Sequence, residues 1–285
     1  MEENEDMKEN IMENEKIDEK LQDLFNVIKG YGRIALAYSG GVDSTFLLMA
    51  AVKAIGKENV MAVTVFSAVN PAGEEVEAVE FAKSLGVIQK TIEADVFTIP
   101  HFKENPEDRC YYCKTEVFGS VKKAANLIGF TNIVDGTNTD DDSDYRPGMR
   151  AVKELDVKSP LKEAGFGKKE IRKYSKLWGL YTSERPSMAC LASRIPYGDE
   201  ITLEKLKVTE KTEMLIKELG FTQIRVRNHG NIARVEISPI EMPKALSMDM
   251  MAKMDKIIKD NGFLYATLDM SGYRTGSMNE VLKKK

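Results

Sequence analysis

Apolar and polar positions change period several times along the chain. Ile17, Leu21, Leu24, Phe25 and Ile28 recur every three or four residues, which predicts a lead-in helix behind a polar N-terminal stretch. Residues 33–38 (RIALAY), apolar from Ile34 onward, read as a short buried strand, and residues 43–55 read as the helix after it. The alternation continues with a strand at 60–66, a helix at 73–85, a strand at 90–93, a helix at 114–128 and a strand at 133–135. A further helix is predicted over 168–177. Strand–helix repetition of this kind predicts an α/β fold, a parallel sheet with helices on both faces.

Near Pro196 to Asp199 the rhythm changes. A helix at 203–219 is followed by a strand at 222–227, a turn at 228–231 and a strand at 232–237. A helix at 243–260 and a strand at 264–268 finish the chain, so residues 198–285 read as a smaller C-terminal α+β module. The expected organisation is an acidic tail over 1–19, a nucleotide-binding domain over 20–197, and that module.

Charge narrows the function classes. The 285 residues carry 41 Lys and Arg against 45 Asp and Glu, a net charge of −4, and the first 29 residues hold ten of the acids with only four lysines. From Glu200 onward 15 basic residues face 12 acids. Such a balance argues against a strongly basic nucleic-acid-binding protein. No apolar run reaches the roughly 18 residues needed to span a bilayer. The acidic N-terminus is unlike a signal or transit peptide, so the expected compartment is the cytoplasm.

The sharpest local signal is Ser39-Gly40-Gly41-Val42-Asp43-Ser44, between a predicted strand and a predicted helix. Glycines let a backbone approach an anion closely, and the next helix offers unpaired N–H groups and a positive dipole end. Ser39 and Ser44 can add hydroxyl donors, and Asp43 can help to hold Mg²⁺. The loop is neither a GxxxxGK[ST] nor a GxGxxG motif. It resembles the pyrophosphate loop of the ATP pyrophosphatases, which implies ATP cleavage between the α- and β-phosphates. Asp135-Gly136-Thr137-Asn138 ends the fourth predicted strand and runs into Asp140-Asp141-Asp142. Ligands of open parallel sheets lie at the carboxyl ends of strands, so Asn138 and Asp140 could position Mg²⁺ or substrate on the same rim. An acidic solvated loop is the alternative.

Three cysteines, an odd number without an export signal, do not suggest a disulfide framework. Cys110-Tyr111-Tyr112-Cys113 is a two-spaced pair, with Cys190 far downstream. A thioredoxin-like pair has no need of Cys190. A structural zinc would require a fourth ligand from His101 or His229. An iron–sulfur cluster normally takes four thiolates, so three would leave one iron open. Buried free cysteines are the ordinary alternative, although the contexts DRCYYCK and CLASR are polar and Arg-bearing.

Arg225, Arg227 and His229 alternate by two and would share one strand face, opposite Arg234 and Glu236 across the predicted hairpin. Converging guanidiniums suit a phosphate or carboxylate. Spacing alone favours a solvated face with cross-strand Arg–Glu pairs. Tyr111, Tyr112, Tyr145 and Tyr197 are candidates to stack on a ring, while Met242, Met248, Met250, Met251 and Met254 read as core or subunit-contact filler.

Several motifs together resemble the LarE-type ATP-dependent sulfur transferases. They are Ser39–Ser44, Asn105-Pro106, Asp108-Arg109-Cys110-Tyr111-Tyr112-Cys113-Lys114, Asp135–Asn138, Asp144-Tyr145-Arg146-Pro147-Gly148 and Ser159-Pro160-Leu161. To these the C-terminal part adds Cys190-Leu191-Ala192-Ser193-Arg194-Ile195-Pro196-Tyr197-Gly198, Arg225-Val226-Arg227, His229-Gly230 and Gly272-Tyr273-Arg274 with Gly276-Ser277-Met278-Asn279. The resemblance implies an adenine nucleotide alpha hydrolase-like fold. It also implies ATP-driven conversion of a carboxylate of pyridinium-3,5-biscarboxylic acid mononucleotide to a thiocarboxylate, on the route to a nickel-pincer nucleotide. Ser39 to Ser44 and Asn138 would then bind ATP and Mg²⁺, and Arg225, Arg227 and Arg234 the substrate phosphate. In single-cysteine members the residue matching Cys190 gives up its own sulfur. Three-cysteine chains resemble members that hold a 4Fe–4S cluster, here on Cys110, Cys113 and Cys190, with an extra sulfide on the open iron. A homo-oligomer is also implied. The sulfide donor is not read from these residues. A tRNA thiolase of the same superfamily and an amidating ligase, which needs no thiols, are the competing enzyme readings; a non-catalytic nucleotide- or zinc-binding module is the competing class.

Overall fold

In the computed structural model the described residues are 19–71, 73–143, 147–186 and 189–282. Ile17 of the predicted lead-in helix, nearly all of the acidic tail, and Asp144, Tyr145 and Arg146 lie outside them. Among the described residues no helix is long and apolar enough to cross a membrane.

The chain forms two compact units. The first comprises Met1–Phe66, Ala72–Ala94 and Lys114–Ser187; the second comprises Ser67–Pro71, Asp95–Cys113 and Met188–Lys285. Within the first, helix α1 (19–31) leads into strand β1 (Ile34–Ala37), helix α2 (Val42–Ile55), strand β2 (Val60–Phe66), helix α3 (Glu74–Ser84) and strand β3 (Ile88–Glu93). Helix α4 (Arg109–Asn126), which belongs to this unit from Lys114 onward, strand β4 (Asn132–Val134), the short helices α5 (Gly148–Glu154) and α6 (Pro160–Glu163), and helix α7 (Lys168–Leu177) follow. All four strands run parallel, in the order β3-β2-β1-β4, with Ile34 paired to Val60 on one side and Asn132 on the other.

The period-two alternation of β1 and β2 explains why both faces are covered. Ile34, Leu36, Val60 and Ala62 point into a cluster with Leu24 and Ile28 of α1, Phe46 and Leu47 of α2, Ala78 of α3 and Ile171 of α7. Ala35, Met61 and Val63 point the other way, against Phe118 and Val121 of α4 and Val152 of α5. Helices therefore lie on both faces, as the strand–helix rhythm predicts.

The second unit holds helix α8 (Leu203–Glu218), strands β5 (Ile224–His229) and β6 (Ile232–Ile237), helices α9 (Met242–Ala245) and α10 (Met248–Asp260), and strand β7 (Tyr265–Leu268). Its sheet has the order β5-β6-β7; β5 and β6 are antiparallel, whereas β6 and β7 are parallel. Gly230 and Asn231 make the hairpin turn, with Gly230 at a φ of 67° that suits glycine. Ile216, Ile224, Val226, Val235 and Ile258 form its core. A second cluster gathers Val69, Val96, Ile99, Phe102, Leu191 and Ile195, three chain stretches that are far apart in sequence.

Two helices depart most from the sequence expectation. Helix α4 begins at Arg109, not near 114, because backbone bonds from Arg109 to Pro106 and from Tyr111 to Asp108 wind the chain into helix before Cys110. The expected helix over 243–260 is broken between α9 and α10, where the Ser247 hydroxyl caps the new N-terminus by accepting from the Met250 N–H at 3.3 Å. Of the methionines, Met254 is buried and Met242 and Met250 pack against the core, while Met248 and Met251 are exposed.

Phe46 is fully buried against Phe166, Tyr174 and Trp178, with ring centroids 5.0–6.0 Å away. Replacing it with Ala removes that aromatic cluster's centre, and urea denaturation should show a loss of about 3–5 kcal/mol.

Candidate functional site

In the first unit, Ser39 to Ser44 link the carboxyl end of β1 to α2. Gly40 has φ 75°, and a Cβ there would sit 2.7 Å from the Ala78 Cβ of α3, so both conformation and space require glycine. Gly41 caps α2 in extended conformation without a side-chain hydrogen bond to the first turn. The N–H groups of that turn are therefore not capped by a side chain, the arrangement that suits an anion. Ser39 and Ser44 bring their Oγ atoms within 3.1 Å of each other, and Ser44 Oγ donates to the Gly41 carbonyl at 3.2 Å.

The end of β4 packs onto this loop. A Cβ on Gly136 would lie 3.0 Å from the Ser44 nitrogen, so the two backbones approach as only glycine allows. Asp135, buried, accepts from Thr137 Oγ1 at 2.7 Å and Ser159 Oγ at 2.8 Å, which fixes the turn. Asn138, fully buried, donates from Nδ2 to Asp43 Oδ2 at 3.1 Å. Asp140 directs its carboxylate to the start of α7, accepting from the Lys168 N–H at 2.6 Å, where the helix dipole favours negative charge.

Burial, with the charge of Asp141 next, pushes the Asp43 carboxyl up to about 6, against the pull of Lys168, Arg172 and the Asn138 hydrogen bond. The sequence reading named Asp43, Asn138 and Asp140 but not Asp141, which nothing distinguishes within the run Asp140-Asp141-Asp142. A cation shared with nucleotide phosphates would relieve this carboxylate crowding. Mg²⁺ typically takes only one or two carboxylates and completes its shell with phosphate and water, so the residues present fit it.

The thiols all lie in the second unit. Cys110 and Cys113 are half-buried one turn apart on α4, Cys190 is exposed, and all three are free. Protein atoms crowding its sulfur raise the Cys190 thiol above its ordinary value; Arg109 pulls it down and Cys110 pushes it up. Among the described residues no three His, Cys, Asp or Glu side chains converge to hold a single metal ion. A preformed closed zinc site with His101 or His229 is thus not built. His101 lies tilted against Tyr112 with centroids 5.1 Å apart, and His229 accepts from Arg234 Nε at 3.3 Å. All three cysteines of the sequence are free thiols in this one unit.

The turn bearing Cys190 is held by buried arginines. Arg194 donates to the Ala189 carbonyl at 2.6 Å and the Cys190 carbonyl at 3.3 Å while forking onto Glu213 at 2.8 and 3.0 Å. Burial would raise Glu213, but the Arg194 pairing outweighs it and holds this carboxyl below its usual range. Arg227 donates to the Ser193 carbonyl at 2.8 Å and forks onto Glu236 at 3.0 and 2.7 Å.

Beside this turn lies a cavity of about 320 Å³, lined among others by Ser193, Arg194, Tyr197, Arg227, Arg234 and Ser277. Of the three arginines expected at a phosphate, Arg227 and Arg234 line it and Arg225 does not. Arg225 is buried, donates to the Ile224 carbonyl at 2.7 Å and sits over the Tyr273 ring. Arg227 and Arg234 pair directly across the hairpin, and Arg234 is tied to Glu236 at 3.1 Å and to Asp269. The cross-strand ion pairs that spacing alone allowed are therefore present in the same wall as the cavity.

Comparison with known proteins now adds to this geometry. A model of the NAD synthase family matches residues 13–110. An uncharacterised protein of Synechocystis is 38% identical over 271 residues, covering 94% of this chain and 100% of its own. The pyridinium-3,5-bisthiocarboxylic acid mononucleotide synthase of Lactiplantibacillus plantarum is 33% identical over 264 residues, covering 92% and 94%. An uncharacterised protein of Methanocaldococcus jannaschii is 30% identical over 245 residues, covering 85% and 91%. With a pyrophosphate loop on an α/β sheet and such likeness over nearly its whole length, the chain belongs to the NAD synthase-type ATP pyrophosphatases and, among them, to the family of the Lactiplantibacillus synthase.

Proposed function

We propose that this protein is a cytoplasmic, homo-oligomeric ATP-dependent sulfur transferase. It adenylylates a carboxylate of pyridinium-3,5-biscarboxylic acid mononucleotide and replaces the activated oxygen with sulfur. The observation that carries the reading is the seating of the exposed Cys190 at the start of a turn whose next residues, Ser193 and Arg194, wall the arginine-lined cavity.

In this reading Ser39, Gly40, Gly41, Val42 and Ser44 hold the β- and γ-phosphates through hydroxyls and the N–H groups of α2, and Asp43 with Asn138 holds Mg²⁺. A substrate carboxylate oxygen attacks the α-phosphorus, the bond to the β-phosphate oxygen breaks, and pyrophosphate leaves. A sulfur nucleophile then adds to the carboxyl carbon of the acyl adenylate, and AMP departs with the original oxygen. Arg227 and Arg234 face the cavity where the substrate phosphate would lie, each already oriented by a carboxylate. A 4Fe–4S cluster on Cys110, Cys113 and Cys190 would supply sulfide from its open iron.

Incubation with ATP, Mg²⁺, sulfide and the pyridinium compound should give an oxygen-to-sulfur exchange by mass spectrometry. Labelling of tRNA in its place would make the protein a tRNA thiolase. Cys190→Ser should abolish the exchange; retention of activity with ammonia would identify an amidating ligase. Anaerobically purified protein should be brown and contain iron and labile sulfide, and Cys110→Ser or Cys113→Ser should lower both. Colourless protein with stoichiometric zinc would remove the cluster from the reading.

Asp43→Asn makes a separate prediction in two parts. Nucleotide-dependent Mg²⁺ binding should fall sharply in calorimetry. Because folding raises the Asp43 carboxyl to about 6, the wild-type side chain contributes its full share of stability below its unfolded pKa and loses it as pH rises through about 6. The nucleotide-free variant should therefore melt above wild type at pH 8, and the difference should vanish below about pH 4.

A further inference from the structure

Asn105 is fully buried and has φ 53°, a left-handed conformation that asparagine tolerates better than most residues. Its Nδ2 donates to the carbonyls of Pro196 at 2.6 Å, Asp199 at 3.1 Å and Ile195 at 3.2 Å, and its own carbonyl accepts from the Gly198 N–H at 2.9 Å. Its Oδ1 accepts from Arg109 Nη1. Arg109, also buried, donates from the same nitrogen to the Ala192 carbonyl at 3.2 Å, and its guanidinium lies 5.8 Å from the Tyr197 ring centroid. Its Nη2 is 3.9 Å from Cys110 Sγ.

These two side chains stand four residues apart, just ahead of the cysteine pair, and their protein partners come from 192–199, just behind Cys190. Buried polar groups must find partners, and here the partners bring one thiol-bearing segment against the other. We propose that Asn105 and Arg109 are positioning residues that set the Cys190 turn beside Cys110. This rests on the reading of the thiols as the sulfur-delivering centre, but its test does not depend on turnover.

The test uses metal-free, full-length protein and dibromobimane, which bridges two neighbouring thiols. Cys110 and Cys113 share a helix face whatever the Cys190 turn does, so the Cys110–Cys113 product is an internal reference. Wild type should also give the Cys110–Cys190 bridge, identified by peptide mass spectrometry. Arg109→Gln should shift the ratio toward the reference by about tenfold, the scale of a lost charged hydrogen bond. Arg109→Lys, which can still donate to the Ala192 carbonyl, should recover part of it, and Asn105→Ala should act like Arg109→Gln. Hydrogen exchange should quicken at residues 191–201 while β5 and β6 stay protected. An unchanged product ratio in folded variants overturns the proposal. So does loss of protection throughout the unit in both Arg109→Lys and Asn105→Ala, which would make the pair a general support. A shifted ratio in a protein whose wild type transfers no sulfur would sink the proposed activity and leave the positioning role standing.

Discussion

The buried Arg194–Glu213 pair is the constraint on which the thiol-bearing unit depends. One guanidinium is shared between a carboxylate of α8 and two carbonyls of the Cys190 turn, and the same carboxylate accepts from the Val226 N–H of β5 at 2.9 Å. A helix, a strand and a reactive turn are thus joined at one desolvated point. Removing either partner would leave the other charge buried and uncompensated, which is far costlier than losing an exposed pair. With that point fixed, Arg227 can reach the Ser193 carbonyl and still be forked onto Glu236, and the cavity acquires a rigid cationic wall.

The first unit solves a different problem. Its phosphate loop keeps the helix N-terminus clear of side-chain caps, and the carboxyl of its acid, Asp43, is raised by burial and by Asp141. Lys168 and Arg172 of α7 moderate that repulsion through their charge. Arg172 is also occupied elsewhere, donating to the carbonyls of Ser183 and Arg185 at 2.7 Å each. Negative charge is concentrated where a cation would be needed, while the positive charges nearby are fixed to the backbone or spread along one helix.

What could be read from the residues follows the range of the forces involved. The β1–α2 loop was legible because glycine conformation and strand–helix order are local, and the Arg227–Arg234 hairpin was legible because alternation by two fixes which residues oppose each other. Three things were not. Asp141 and Asp140 look alike in sequence, and only the fold lets the charge of one act on Asp43 while the other accepts from the Lys168 N–H at the start of α7. Arg225 shares its alternation with Arg227, yet it stacks on Tyr273 away from the cavity lining. The early start of α4 depends on the turn at Pro106 to Asp108, which a helix pattern beginning after two cysteines and two tyrosines does not reveal.

The second unit is assembled from three stretches separated by long insertions: 67–71, 95–113, and everything after 188. During synthesis, the first two emerge long before the last. Val69 waits for the amide of Leu191, and Asn105 for the carbonyls of residues 195–199. Contacts so distant along the chain form late. A nascent polypeptide that has already displayed Cys110 and Cys113 must therefore carry them without the contacts of Arg109 and Asn105 to residues 192–199 until those residues have emerged. The two thiols of the growing chain thus meet oxidants and stray metals before the turn that carries their third companion is in place.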